Sequence, residues 1–324
     1  MHGTATTTPA TPRTLPGVAD SVLDLIGGTP LVRLHAAAAG TTAQVLVKLE
    51  GRNPGGSAKD RPALGLIRAA EASGALAPGQ AVVESTSGNT GIGLALVGRV
   101  TGHPVVIVHG GAMSVEKRAL LALYGAELIE ADWTLGPDHP DNARAVADRV
   151  AAERGAWRSH QYDDPANPDA HHEHTGPELW RQTGGAITHL VAGIGTGGTI
   201  SGAGRYLKEV SDGAVRVIGV DPEGSTYGGG TAGVIRVEGV GTTWPASHWP
   251  RNLDRSVPDE IRVVGHDRAI AAVRLLAAEG LLVGPSSGLA LAAALDVAAD
   301  LDERHVVVVM APDGATNYLE ELTR

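Results

Sequence analysis

Cysteine is absent from this 324-residue sequence, and so is phenylalanine. The lack of cysteine excludes disulfide bonds, thiolate catalysis and cysteine-ligated metal sites. No run of 18 apolar residues occurs, so no membrane-spanning helix is predicted. Positive charge is scarce as well, because 26 Lys and Arg residues stand against 36 Asp and Glu residues and the net charge is −10. This balance argues against a nucleic-acid partner, which requires a basic surface.

The composition that is present is ordinary for a globular protein, with 43% hydrophobic and 19% charged residues. Residues 1–17 are rich in Thr, Pro and Ala and contain no apolar segment of the kind found in signal peptides. We therefore predict a short disordered tail on a cytoplasmic protein. The rest of the chain is long enough for two compact domains or one large one.

Short apolar segments alternate with helical patterns from Gln44 onward, beginning with residues 45–49 and ending with residues 306–310. This alternation is typical of an α/β fold with a mainly parallel sheet. Ligands bind such folds at the carboxyl ends of the strands, where the loops lie. We therefore expect the functional residues in the loops that follow strands.

The first such loop contains Lys59, in residues 53–61 between a strand candidate and an amphipathic helical pattern. Ser57 is predicted as the N-cap of that helix, which places Lys59 at its N-terminus. The positive end of the helix dipole disfavours a protonated amine there. A lysine with a depressed pKa is a nucleophile that can capture a carbonyl cofactor such as pyridoxal phosphate. Taken alone, the segment is also typical of a solvated surface lysine, which is the commoner case.

The second loop, residues 85–91, joins a strand candidate at residues 81–84 to a helix. Hydroxyl groups, an amide and free N–H groups at a helix N-terminus suit an anion such as a substrate carboxylate. A capped helix start needs only one of these groups, whereas this loop has five polar side chains and two glycines. The loop therefore favours a binding site over simple capping.

The third loop, residues 193–199, has the sequence Gly-Ile-Gly-Thr-Gly-Gly-Thr and also leads from a strand into a helix. Small residues let the backbone approach a phosphate, and the two threonines add hydroxyl donors. The loop also matches Gly-x-Gly-x-x-Gly, and Asp221 supplies an acid near the spacing expected of a dinucleotide site. A phosphate site is thus predicted, and a nicotinamide-dependent oxidoreductase stays open as an alternative from another class.

The fourth loop, residues 284–288, has the sequence Gly-Pro-Ser-Ser-Gly and matches the Gly-x-Ser-x-Gly nucleophile elbow of hydrolases. Too little chain follows Gly288 for the strands that would deliver a hydrolase's Asp and His. The candidates Asp300 and His305 flank a single short turn. The sequence therefore argues against a hydrolase.

Three histidines and a glutamate are adjacent at residues 171–174, within a helix predicted over residues 170–182. Adjacent positions on a helix point in different directions, so only His171 and His174 share a face. We therefore predict no metal site in this cluster.

Taken together and in this order, the four loops resemble the cysteine synthase/cystathionine β-synthase family of pyridoxal phosphate enzymes. The matching motifs are Asn-Pro-x-Gly-Ser-x-Lys-Asp-Arg, Thr-Ser-Gly-Asn-Thr-Gly, Gly-x-Gly-Thr-Gly-Gly-Thr and Gly-x-Ser-Ser-Gly. The similarity extends from about Val22 to the C-terminus, and neither alternative class explains Lys59 or the loop at Asn89. The resemblance implies fold type II, which is tryptophan synthase β-like. This fold has two α/β domains with mainly parallel twisted sheets and the active site between them.

The resemblance also implies a role for each motif. Lys59 would hold pyridoxal 5′-phosphate covalently and then remove the α-proton of the substrate. The other cofactor-binding residues would be Asn89 at the ring oxygen, Gly195, Thr196, Gly197, Gly198 and Thr199 at the phosphate, and Ser286 at the pyridine nitrogen. The substrate would be bound by Thr86, Ser87, Gly88, Thr90, Gln161 and Gly239. Because a serine hydroxyl does not keep the ring nitrogen protonated as a carboxylate would, such a site suits elimination and addition at the β-carbon over racemisation.

The implied reaction replaces the β-substituent of serine or of an O-activated L-serine with a nucleophile. Sulfide, giving L-cysteine, is the first expectation. Homocysteine is second, because residues 237–241 and 312–318 look more like cystathionine β-synthases. A nitrogen nucleophile, giving a diaminopropionate-type product, is third. Residues 242–245 depart from both groups, which leaves the donor and the acceptor open.

By the same resemblance, we expect a smaller N-terminal domain of residues 52–160 and a larger phosphate-binding domain of residues 18–51 and 161–324. A homodimer is expected, with small-molecule amino-acid substrates and with no membrane or nucleic-acid partner. A non-catalytic binding protein on the same fold is disfavoured by the presence of Lys59.

Overall fold

The structure is a computed structural model that describes residues 17–111, 113–136 and 138–323. The tail predicted to be disordered falls outside these ranges, apart from Gly17. The strands in the described ranges are β1 Leu31–Arg33, β2 Gln44–Leu49, β3 Val82–Ser85, β4 Val105–His109, β5 Glu127–Glu130, β6 Trp157–Arg158, β7 His189–Gly193, β8 Arg216–Pro222, β9 Glu260–Val264 and β10 Val306–Ala311.

These strands form two sheets. The larger has six strands in the order β1-β2-β10-β7-β8-β9, and the smaller has four in the order β5-β4-β3-β6. Among the described strands the pairing is parallel throughout, except that β1 is antiparallel to β2. The predicted α/β fold with mainly parallel sheets is therefore confirmed. The smaller sheet takes its strands from one continuous part of the chain. In the larger sheet, the neighbouring strands β2 and β10 come from opposite ends of the chain.

Helices connect the strands, as parallel pairing requires. They are α1 Asp60–Ser73, α2 Asn89–Thr101, α3 Val115–Tyr124, α4 Ala143–Arg154, α5 Ala166–Ala170, α6 Gly176–Gln182, α7 Gly198–Val210, α8 His266–Ala278, α9 Pro285–Ala299 and α10 Leu319–Thr323. Within the described ranges, no helix has both the length and the apolar character needed to cross a bilayer.

The ends of these helices follow local sequence signals. The Ser114 hydroxyl accepts a hydrogen bond from the Lys117 N–H at 3.3 Å and caps the start of α3. The same helix ends at Gly125 with φ +82°, a left-handed conformation that glycine adopts without steric cost. Helices α1 and α2 end in the same way at Gly74 and Gly102.

Valine, leucine, isoleucine and alanine fill the core in place of phenylalanine. Strand β10 is buried at every position, as expected of a strand that is covered on both faces. Helix α9 packs against it and is itself mostly buried, with alanine and leucine as its main residues. The central strands therefore form a rigid support, and their carboxyl ends carry the loops that matter for function.

The helix predicted over residues 170–182 is more complex than its sequence pattern indicated. Helix α5 runs into a π-helical turn at His171–Thr175, and α6 follows it directly. Such wide turns inside helices often accompany functional sites. Here the wide turn carries His171, which contacts the glycine-rich loop described below.

Candidate active site

Lys59 occupies the position immediately before helix α1, so the prediction that Ser57 is the N-cap is wrong. The loop makes one more turn than expected, because the Asp60 N–H donates to the Ser57 carbonyl at 3.3 Å. The Ser57 hydroxyl instead accepts from the Lys59 N–H at 3.2 Å. Burial lowers the pKa of Lys59, against the opposing charge of Asp313. The amine is thus held closer to its neutral, nucleophilic form.

A single cavity brings Lys59 together with residues from the other loops. It lies at the carboxyl ends of β7 and β10 and is bordered by the starts of α2, α7 and α9. The predicted site residues that line it are Lys59, Asn89, Gly195, Thr196, Gly197, Thr199, Gly239 and Ser286. Because Asn89 follows β3 of the smaller sheet and the loop of residues 195–199 follows β7 of the larger one, the cavity lies between the two sheets.

The glycine-rich loop is tightly packed around one wall of this cavity. Gly197 precedes α7 with φ +87°, which favours glycine. A Cβ on Gly195 would lie 2.5 Å from the carbonyl oxygen of Gly239, and a Cβ on Gly198 would overlap the Asn167 side-chain oxygen. Helix α7 has 13 residues, and its first N–H groups have no partner within the helix. The wall is therefore a backbone surface suited to an anion.

Two threonine hydroxyls complete this wall. Thr196 Oγ1 accepts from Asn167 Nδ2 at 3.1 Å, which leaves the hydroxyl proton of Thr196 free to be donated. Thr199 Oγ1 lies 3.2 Å from His171 Nε2, and His171 Nδ1 lies 2.9 Å from Thr175 Oγ1. Burial is the main cause that lowers the pKa of His171 well below its ordinary value, so the ring is neutral. Both ring nitrogens lie at hydrogen-bond distance from threonine hydroxyls of the protein, so His171 supports the glycine-rich loop and has no free nitrogen for a ligand.

The opposite wall carries hydroxyl groups from the start of α9. Ser286 lines the cavity, and the neighbouring Ser287 hydroxyl is buried with no hydrogen-bond partner among the described residues. A side chain on Gly284 would overlap Asp313 Oδ1. This wall is polar but contributes no charge through Ser286.

Asp313 is a cavity residue to which the sequence analysis gave no role. Its Oδ2 accepts from Asn89 Nδ2 at 2.7 Å and from the Tyr318 hydroxyl at 2.6 Å, whereas Oδ1 is buried with no partner among the described residues. Burial raises the pKa of Asp313 even though both hydrogen bonds lower it. The carboxylate fixes the Asn89 amide nitrogen and leaves its second N–H available. The available signal is that Asp313 lies two residues after the end of β10, at the end of the sheet where ligands bind.

The loop after β3 is built from hydrogen bonds that fix its hydroxyl groups. Thr86 Oγ1 accepts from the Gly88 N–H at 3.1 Å, and Ser87 Oγ accepts from a backbone N–H at 2.9 Å. Thr90 Oγ1 donates to Gln161 Oε1 at 2.6 Å, which joins two of the predicted substrate-binding residues. The four side chains Thr86, Ser87, Thr90 and Gln161 do not line the cavity themselves, and the loop reaches it through the adjacent Asn89.

Glu84 holds Gln161 in this position. The buried carboxylate accepts from the Gln161 N–H at 2.9 Å, from the Ser159 hydroxyl at 2.7 Å and from Arg158 Nη1 at 2.5 Å. Burial alone would raise the pKa of Glu84, but the Arg158 charge and the hydrogen bonds together lower it. The carboxylate therefore stays ionised and links β3 to the segment that follows β6.

The residues present fit the functional groups of pyridoxal 5′-phosphate. The start of α7 suits a phosphate, the Lys59 amine suits an aldehyde, and Ser286 offers a neutral partner to a ring nitrogen. The structure argues against a dinucleotide site, which would need Asp221 as a ligand for the ribose. Asp221 Oδ2 accepts from the Gly228 N–H at 2.8 Å, and Asp221 does not line the cavity.

Nearly the whole chain is similar to known proteins. The family model described as "Pyridoxal-phosphate dependent enzyme" matches residues 22–313. Cysteine synthase B of Pseudomonas aeruginosa is 41% identical over 301 residues, which cover 92% of this chain and 95% of that protein. Cystathionine beta-synthase of Apis mellifera is 41% identical over 328 residues, 97% of this chain and 64% of that protein. A crystal structure of O-ureido-L-serine synthase superposes with a TM-score of 0.86 at 38% identity, covering 93% of this chain and 94% of that one.

Proposed function

This chain belongs to the pyridoxal-phosphate dependent enzymes, and on that basis we propose that it replaces the β-substituent of serine or an O-activated L-serine with a nucleophile. Sulfide is the first candidate, giving L-cysteine, because relatives named cysteine synthase match over almost their full length. Homocysteine is the second candidate, supported by the relative named cystathionine beta-synthase.

The observation that carries this proposal is the environment of Lys59. The chain has four lysines, and the other three each form a salt bridge with a carboxylate. Among the described residues Lys59 forms none, and burial lowers its pKa within the cavity. An unpaired amine of this kind is the group that can bond covalently to the aldehyde of the cofactor.

We propose the cofactor contacts from the residues that line this cavity and from Gly198, the first residue of α7. Gly195, Thr196, Gly197, Gly198 and Thr199 would bind the phosphate, Asn89 the ring oxygen and Ser286 the ring nitrogen. When bound, the cofactor supplies an electron sink for the bond that breaks at the substrate α-carbon. Asp313 orients the Asn89 amide, because it accepts one of the two N–H groups.

The protein's own groups would then handle the substrate. Lys59 takes up the α-proton, while the loop of Thr86, Ser87, Gly88 and Thr90 holds the carboxylate together with Gln161. The bond between Thr90 and Gln161 means that the two halves of this carboxylate site are fixed before substrate arrives. Ser286 is neutral and so does not stabilise a protonated ring nitrogen, which favours loss of the β-substituent over racemisation.

We also propose the division into residues 52–160 and residues 18–51 with 161–324, since each sheet takes its strands from one of these units. A homodimer is proposed as well. This proposal rests on the resemblance to the family set out in the sequence analysis. A cytoplasmic location stays an expectation from the sequence.

Chemical reduction and peptide mapping test the proposed function. The purified protein should absorb visible light through its cofactor, and borohydride followed by proteolysis should place the pyridoxyl group on Lys59. Lys59→Ala should lose both the label and the turnover of O-acetylserine with sulfide. Lys208→Ala is the matched control, because Lys208 pairs with Asp259 at the surface and should leave both unchanged. A label on another lysine, or unlabelled protein that still turns over substrate, would contradict the assignment.

A further inference from the structure

Arg144 lies in the first turn of α4 between two aromatic rings. Its guanidinium carbon is 4.0 Å from the centre of the Tyr162 ring and 4.1 Å from the centre of the Trp244 ring. Tyr162 directly follows Gln161, which belongs to the proposed carboxylate site. Trp244 follows closely on Gly239, which lines the cofactor cavity. The guanidinium therefore joins the two segments that flank the proposed substrate site.

This cation has no carboxylate partner among the described residues. Arg144 is half-buried, and its Nε atom is buried without a hydrogen-bond partner within the described ranges. By contrast, Arg61 and Arg158, whose side chains are 1% and 9% exposed, each pair with carboxylates at hydrogen-bond distance. A desolvated cation is costly unless an anion compensates for it. Stacking uses the two faces of the guanidinium, and one N–H group also contacts the Tyr162 hydroxyl, which leaves Nε and the remaining N–H groups for an anion.

The Trp244 side of this stack, called the aromatic platform below, is fixed by its own contacts. The Trp244 carbonyl accepts from the Thr226 hydroxyl at 2.7 Å and from Trp249 Nε1 at 3.1 Å. Trp249 packs edge-on against Tyr227 at 5.1 Å, and the Tyr227 hydroxyl donates to the Gly195 carbonyl at 2.9 Å. The platform is thus tied to the phosphate loop, and the guanidinium is held in place before any ligand binds.

We propose that Arg144 binds a phosphate or carboxylate group of a reactant, beyond the site that holds the amino-acid carboxylate. This inference rests on the proposed function and narrows its substrate class. The anion belongs either to the leaving group, as in O-phospho-L-serine, or to an amino-acid nucleophile such as homocysteine. A guanidinium matches both anions because its fork of N–H donors fits two oxygens at once.

The first test compares reactants with and without the additional anion. Kinetics are measured for O-acetylserine with sulfide, O-phosphoserine with sulfide, and O-acetylserine with homocysteine. In Arg144→Gln, kcat/KM should fall about 10- to 100-fold for one of the two anionic pairs, through KM, and stay within about 2-fold for the first pair. Arg144→Lys should lose less, because it keeps the charge and loses the fork. Arg149→Gln, an exposed arginine on the same helix, should change none of the three.

The second test does not depend on turnover. The holoenzyme is titrated with inorganic phosphate and with glutarate while tryptophan fluorescence is followed, because Trp244 stacks on the guanidinium. Saturable binding that weakens at least about 10-fold in Arg144→Gln supports the inference. Equal responses in the wild type and the variant, or no response to either anion, overturn it. Failure of all three reactions, and of serine with homocysteine, in the wild type would overturn the proposed function alone, because anion binding is measured separately.

Discussion

Replacing Glu178 with glutamine removes one of two carboxylates from a buried charge cluster. Glu178 Oε2 accepts from Lys48 Nζ at 2.7 Å, and its Oε1 accepts from Arg61 Nη1 at 2.8 Å. Glu50 supplies the second carboxylate, 2.6 Å from Arg61 Nε. The side chains of Lys48 and Arg61 are 0% and 1% exposed, so glutamine would leave two buried cations facing one carboxylate.

The cost can be worked out from the ionisation of Glu178. Burial raises its pKa, but the hydrogen bonds and charges of Arg61 and Lys48 outweigh burial and bring the pKa to about 2, compared with an ordinary 4.5. At 1.36 kcal/mol per pH unit, this difference corresponds to about 3 kcal/mol of folding free energy at neutral pH. The side chain is only 13% exposed, so solvent screening takes away little of it. Breaking a buried ion pair costs a similar amount, about 3–5 kcal/mol.

The pH dependence follows from the lowered pKa. Glu178 stabilises the folded state fully above its unfolded pKa of 4.5, and that stability is lost as the pH falls toward about 2. Protonated Glu178 resembles glutamine in carrying no charge. The difference in unfolding free energy between the wild type and Glu178→Gln, called the gap below, should therefore shrink below about pH 4.5. By pH 3 the gap should be less than half its value at pH 7.

Urea unfolding at pH 7 and at pH 3, followed by tryptophan fluorescence, measures both quantities. Glu173→Gln is the control, because Glu173 is exposed and only about one and a half turns away along the chain. Its unfolding free energy should stay within about 0.5 kcal/mol of the wild type. A Glu178→Gln gap below about 0.5 kcal/mol at pH 7, or a gap of equal size at pH 3, would refute the reasoning.

Two further substitutions test residues that hold the loops of the site in place. Glu84→Gln should lower the unfolding free energy by about 3–5 kcal/mol and raise KM for the amino-acid substrate, because it breaks a buried ion pair and weakens the support of Gln161. Urea unfolding and steady-state kinetics measure these effects, and an unchanged KM would contradict the second. Gly198→Ala should weaken cofactor binding at least about 5-fold, since the added Cβ overlaps Asn167 and moves the phosphate loop. Titration of the apoprotein with cofactor measures this, and equal affinity would show that the loop tolerates a side chain.

Local sequence signals were sufficient for much of the fold. Glycines after helices, apolar strands and polar loops between them act over a few residues, and the alternation they produce indicates a parallel α/β fold. The buried valines of β10 show the same logic, since a continuous apolar run marks a strand covered on both faces. The N-cap assignment to Ser57 failed because that loop is anchored from elsewhere. Ser57 forms a bridge with Asp313, which no neighbouring residue reveals.

The sequence by itself determined the fold class, the family and the loops around Lys59, because motif order and short-range periodicity are properties of the chain alone. Only the tertiary structure decided which distant residues meet. Asp313 reaches Asn89 because β10 lies in the middle of its sheet, and Arg144 comes to lie between two rings from separate segments. Strand order and burial set such contacts and their pKa values. The physical reason is that desolvation depends on everything packed around a group, which a linear pattern does not contain.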